Sequence, residues 1–189
     1  GIDKEIEVVV VHEPIVQSPP GEKRNPRTEE RWIFLFLFLT SLALYSATLS
    51  WAPCPGLPAK TLRMQLGLDA VPPVADFLWG IWVRMAAQWP WFSVAGWTAL
   101  FSALCGSLTV GLTGRLMWRV GYRGWKDRGP AAQLREQQAR RLSACVAGLY
   151  LACCTPFWML STRSLPGTFH LGMLVVTAWF FSEFQQQGK

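Results

Sequence analysis

Two carboxylates and three cations between the first and second apolar stretches are the residues best placed to do chemistry. Asp69 and Asp76 share this segment with Lys60, Arg63 and Arg84. A carboxylate at the mouth of a membrane cavity can act as a general base, taking a proton from an acceptor hydroxyl while cations hold a phosphate leaving group. The competing reading is a pair of ordinary surface carboxylates with basic neighbours. Asp76 falls inside an aromatic helical segment, which favours an interfacial role for it and leaves Asp69 as the catalytic candidate. A second candidate is His170, which follows Arg163 across a short turn. A neutral imidazole facing a polar cavity exchanges protons, whereas the same residue at a helix end can be a plain polar cap. His12, far away in the chain, reads as a solvated tail residue.

The signatures of soluble enzymes are missing from the sequence. It holds no GxSxG, no HExxH, no phosphate-cradling glycine loop with a lysine and no repeated CxxC. Cys105, Cys145, Cys153 and Cys154 lie within apolar stretches and Cys54 lies in a loop. That spacing suits neither a disulfide framework nor a metal site, so the cysteines read as small packing residues and neither metal nor cofactor is expected.

Those candidates need elements to hold them, and the elements are apolar. Of the 189 residues 51% are hydrophobic and 16% charged, eleven are Trp, and the mean hydropathy is +0.21. A bilayer core about 30 Å thick needs roughly 20 mostly apolar residues per helix. Four stretches approach this: about 32–50, 92–116, 142–160 and 168–184. The fold class expected is therefore all-α, a polytopic transmembrane helix bundle.

Between the first two spans, Val74 to Gln88 carries Phe77, Leu78, Trp79, Ile81, Trp82 and Met85 with charged Asp76 and Arg84. This fits an amphipathic helix at the headgroup level, where indole rings settle. The second span mixes Gly96, Ala99, Ala103, Gly106, Gly111 and Gly114 with larger residues, so neighbouring helices can approach it closely. Pro156 is placed to kink the third.

The prolines and charges of residues 1–31 read as a flexible cytoplasmic tail, and residues 185–189 as a second short tail. The first span reads as a signal anchor, with cleavage near Ser46-Ala47 or Ala52 as the alternative. The net charge of +6 is not a nucleic-acid signal, because the basic residues flank apolar segments and form no separate arm. They gather at Lys23 to Arg31 and at Arg115 to Arg141, which the positive-inside rule places together in the cytoplasm with both termini. The expected location is the cell (inner) membrane, and membrane lipid is the expected partner. The start at Gly1 and the end at Gln-Gln-Gln-Gly-Lys suggest a longer parent polypeptide.

The order of these pieces resembles the GT-C membrane glycosyltransferases, and most closely a bacterial group related to protein O-mannosyltransferases. The resemblance runs through Pro55-Gly56, Leu66-Gly67-Leu68-Asp69 with Pro72-Pro73, Leu78-Trp79-Gly80 and Val83-Arg84. It continues in Leu100 to Gly106, Pro156-Phe157-Trp158 and Thr168-Phe169-His170-Leu171. It covers about residues 32–184, the N-terminal part of such an enzyme. It implies a many-helix bundle that takes a polyprenyl-phosphate-linked sugar as donor, with an acidic residue of the first outer loop near the reacting hydroxyl.

On that basis Asp69 is the catalytic candidate, with Arg63, Arg84, Arg163 and His170 as substrate- or phosphate-binding candidates. The early acidic motif of the family would fall near Leu57, Pro58 and Ala59, none of which is acidic. The rival expectation is a non-catalytic four-span membrane protein that binds anionic lipid or a partner subunit.

Overall fold

In the computed structural model, which describes residues 26–49, 57–68, 76–89, 91, 93–120 and 130–187, the uncharged run after Arg31 is a helix. This α1 spans Pro26–Ala47 and is followed by α2 (Leu57–Gln65), α3 (Phe77–Ala87), α4 (Val94–Val120), α5 (Pro130–Cys153), α6 (Thr155–Thr162) and α7 (Gly167–Gln187). The described residues are all-α, as expected. Thr28–Ala47 and Val94–Arg119, 20 and 26 residues, are long and apolar enough to cross a membrane, at about 30 and 39 Å of helix. Residues Leu134–Cys153 and Thr155–Thr162 make a third crossing if the bent pair counts as one.

The fourth expected span coincides with α7. α7 carries His170 near one end and Glu183 with three glutamines at the other, and these polar ends shorten its apolar run. The helices also begin earlier than the apolar runs. Pro26 to Arg31, read as part of the tail, is the first turn and a half of α1, and α4 and α5 extend into the basic stretch from Arg115 to Arg141. Arg, Gln and Ala are good helix formers, and a helix already nucleated in the apolar run propagates into them.

α4 is the central post and touches α1, α3, α5, α6 and α7. Its small residues make this possible. A Cβ on Gly114 would fall 2.2 Å from Leu37 Cδ1, and one on Gly148 of α5 would fall 2.6 Å from the same atom. Leu37 is thereby fully buried in the seam of three helices. Ala99, Ala103 and Val110 continue the buried stripe, joined by Tyr45, Ala152 and Phe157. Leu35, Phe36 and Leu39 of α1, Val146 and Leu149 of α5, and Leu174, Phe180 and Phe181 of α7 point outward. Such an apolar exterior around an apolar core is the pattern of a bundle solvated by lipid.

Several hydroxyl groups along the helices are satisfied inside them. Ser41, Thr48, Ser107, Thr109 and Thr113 each donate to the carbonyl four residues earlier. In hydrocarbon such bonds leave no polar group facing the lipid unpaired.

The kink expected at Pro156 appears as a 64° bend between α5 and α6. Pro156 has no N–H to give Ala152, four residues back in the chain, so that carbonyl is freed from the helical ladder. Tyr45 of α1, fully buried, supplies the missing donor through its hydroxyl at 3.1 Å. The Trp158 indole N–H then donates to Thr48 Oγ1 at 3.1 Å and fastens α6 to the end of α1. Replacing Tyr45 by Phe leaves the Ala152 carbonyl without a donor and is expected to lower unfolding free energy by about 1–2 kcal/mol. The loss is expected to shrink when Pro156→Ala restores a backbone donor, and a denaturation double-mutant cycle in detergent reads the difference.

Candidate functional site

The two ends of the bundle hold its polar chemistry. At the end where α4 begins, the turn between α6 and α7 is sewn onto α4 by hydroxyls. Thr98 Oγ1 and Ser164 Oγ lie 2.9 Å apart, Ser164 donates to the Ala95 carbonyl at 3.0 Å, and Ser102 donates to the Leu165 carbonyl at 3.1 Å. This seating fixes the start of α7. Phe169 then meets Phe101 of α4 and Trp79 of α3, with ring centroids 6.0 and 6.3 Å apart, while Trp82 stacks on Phe101 at 4.3 Å. Beside this aromatic layer His170 Nε2 lies 3.4 Å from a carboxylate oxygen of Asp76, the residue just before α3.

The candidates from sequence divide between these elements. Asp69 lies outside the described residues. Arg63 stands exposed in the last turn of α2. Arg84, on the exposed side of α3, reaches the carbonyl of Gln65 with Nε at 3.5 Å, the long limit of a hydrogen bond. Gly80 allows this pairing of α2 with α3, because a Cβ there would fall 2.1 Å from Gln65 Oε1. Arg163 is half-buried at the C-terminal cap of α6. Thus His170 is joined to Asp76 and Arg84 to the end of α2. An open cleft of about 450 Å³ lies between α3 and α4, lined by Trp82, Met85, Ala86, Gln88, Trp89 and Trp97.

In chemical terms this half of the bundle offers one acid–base pair, an imidazole whose Nε2 faces a carboxylate. Such a pair can hold or pass a proton. Among the described residues no three His, Cys, Asp or Glu side chains gather as a metal site. Cys105, Cys145, Cys153 and Cys154 are free thiols.

The opposite end carries a network that sequence reasoning missed. Glu30 of α1, buried, accepts from Arg115 Nε at 2.5 Å and Arg119 Nε at 2.7 Å. Arg119 also donates through Nη1 to Glu183 of α7 at 2.5 Å. Glu29 accepts from Arg141 and, at 2.8 Å, from Gln137 of α5. The Arg115 guanidinium lies over the Trp179 ring, 5.1 Å from its centroid. Three guanidiniums therefore face three carboxylates, and one ring of contacts binds α1, α4, α5 and α7. The signal was present: Arg115 and Arg119 are one helical turn apart on one face, and Glu29, Glu30 and Glu183 border apolar runs. A linear reading takes each as a membrane-edge residue, since only the fold brings α1 to α4 and α7.

Removing Glu30 leaves Arg115 without its carboxylate and Arg119 with Glu183 alone, in a largely buried site. Glu30→Ala is expected to cost about 3 kcal/mol or more, the scale for breaking a buried pair. Arg31→Ala, one residue on and exposed, is expected to change stability little. Unfolding of both variants in mixed micelles, compared with the unsubstituted chain, measures the contrast.

No family model, no curated protein and no solved structure matches this chain.

Proposed function

We propose that this chain is a non-catalytic membrane bundle whose basic end rests against anionic lipid headgroups, with α1, α4 and the bent α5–α6 pair as crossings and α7 as a fourth that returns the chain to the starting side. The observation that carries the reading is the use made of its carboxylates. Glu29, Glu30 and Glu183 are consumed in holding helices together. They neutralise Arg115, Arg119 and Arg141 and leave other cations of the same end, Arg31 and Arg135 among them, on the exposed surface. Lys23, Arg24, Arg123, Lys126 and Arg128 add to this end in sequence. A cluster of this kind at a membrane edge attracts anionic lipid by about 1 kcal/mol per cation. The N-terminal end of α1 and the C-terminal end of α7 meet in the Glu30–Arg119–Glu183 chain, so both belong to the side read as cytoplasmic in the cell membrane.

A second reading, the N-terminal region of a GT-C-like glycosyltransferase, draws support from Asp76 and His170. Their 3.4 Å approach in the other half of the bundle provides a base for an acceptor hydroxyl, with Asp69, Arg63, Arg84 and Arg163 as further candidates near a polyprenyl-phosphate-linked sugar.

Two measurements separate the readings. Replacing Arg123, Lys126 and Arg128 together by Gln is expected to abolish the extra thermal stability that phosphatidylglycerol nanodiscs give over phosphatidylcholine ones. Polyprenyl-phosphate sugar is expected to give no saturable protection of the 51–91 segment from labelling. Saturable protection, lost in Asp69→Asn or Asp76→Asn, would replace the first reading with the second.

A further inference from the structure

The ion-paired end supplies a ruler for depth. Glu183 is level with Arg119, which it binds, and His170 precedes Glu183 by thirteen residues of α7. His170 is therefore about 20 Å from that pair along the axis, while Val94, the outer end of α4, is about 38 Å away. If the hydrocarbon begins at Glu30 and Arg115, a core of about 30 Å ends near Val94. His170 and its neighbour Asp76 then lie close to the middle of the bilayer, well inside the headgroup level.

From there α3 runs outward. Near its start Trp79 touches Phe101, and beyond its end Trp89 touches Trp97, four residues closer to the beginning of α4. The two helices run in opposite senses at a steep angle, since the ten residues from Trp79 to Trp89 advance only four residues, about 6 Å, along α4, and both contacts fall in its outer half. Both faces of α3 are apolar except for Arg84, exposed in its last turn. Trp79, Gly80, Val83 and Ala86 are buried, while Phe77, Leu78, Ile81 and Met85 are exposed. A helix lying in the headgroup plane shows water a polar face, whereas one apolar around most of its circumference is immersed.

The neighbouring elements leave this space for it. The turn from α6 to α7 sits at Thr98 and Ser102 of α4, so α7 begins well below the outer end of α4.

We propose that α3 is a re-entrant helix that occupies the outer half of the bilayer against α4, with Phe77, Leu78, Ile81 and Met85 covered by lipid acyl chains and Asp76 clasped to His170 at its foot. Pairing offsets part of the cost of that depth, since half-exposed His170 and the more buried Asp76 give each other a polar partner where water is scarce. Apart from these two, the titratable side chains on the packed helices are Lys60 and Arg63 of α2, Arg84 toward the outer end of α3, Cys105 and the distant Arg115 and Arg119 of α4, Arg163 at the end of α6 and the distant Glu183 of α7. The inference rests on α1 and α4 crossing the membrane, and a control position reports that crossing separately.

The test places a nitroxide side chain at Leu78 in the full chain, with the five native cysteines replaced by alanine, in phosphatidylcholine–phosphatidylglycerol vesicles. Collisions with oxygen and with a water-soluble nickel chelate are measured there, at Leu39 on the exposed side of α1, and at Trp91. Leu78 is expected to favour oxygen as strongly as Leu39 does, and His170→Ala is expected to cause a loss of that preference at Leu78 with no change at Leu39. A chelate-dominated Leu78 beside an oxygen-dominated Leu39 would overturn the proposal, placing α3 at the surface. A Leu78 shielded from both reagents would overturn it too, because a protein neighbour would then cover the face assigned to lipid. A chelate-dominated Leu39 would remove the membrane placement itself.

Discussion

One carboxylate, Glu30, sets the register of the bundle by accepting from Arg115 and Arg119 together. An ionised group that is nearly buried is tolerated only with a partner, and here the partner lies on a different helix. Sliding α1 by one residue along α4 would move the carboxylate about 1.5 Å and rotate it by roughly 100°. The pairing therefore holds α1 and α4 in one alignment, and the link from Arg119 to Glu183 extends that alignment to α7. With the charged end fixed, Leu37 falls between Gly114 and Gly148, Tyr45 beside Ala152, and the α6–α7 turn onto Thr98.

The same requirement, that a polar group in apolar surroundings find its partner within the protein, explains features that share no sequence motif. Tyr45 answers the carbonyl that Pro156 frees, serine and threonine hydroxyls turn back on their own helices, and Asp76 meets His170. The outer surface is left to Leu, Phe, Val and Met side chains. Lipid supplies little apolar driving force between helices, so close packing at glycine and alanine, together with these polar contacts, holds the assembly.

How much of this was legible depended on the range of the interaction. The first span was plain because nothing charged interrupts it, and the packed character of α4 was plain because its small residues recur along its length. The bend at Pro156 follows from a missing N–H, a local property. Glu29, Glu30 and Glu183 border apolar runs as any membrane-edge residue does, and their partners come from helices far away in the chain. The Asp76–His170 pair was hidden for the same reason: each residue was noticed, but their meeting depends on how α3 lies against α4 and α7. Arg84 was read as a phosphate ligand, and the structure places it beside the end of α2. Asp69, the catalytic candidate, lies outside the described residues.

The central claim is that the basic, ion-paired end lies on one side of a membrane and the start of α4 on the other. Single cysteines at Trp91 and at Gln185, in an otherwise cysteine-free chain, test it through labelling of intact cells with a membrane-impermeant maleimide. The account predicts that the cysteine at position 91 reacts at once and the one at 185 only after the membrane is permeabilised. Labelling of both positions from the same side in sealed cells would contradict it, because α4 and α7 would then not separate two compartments.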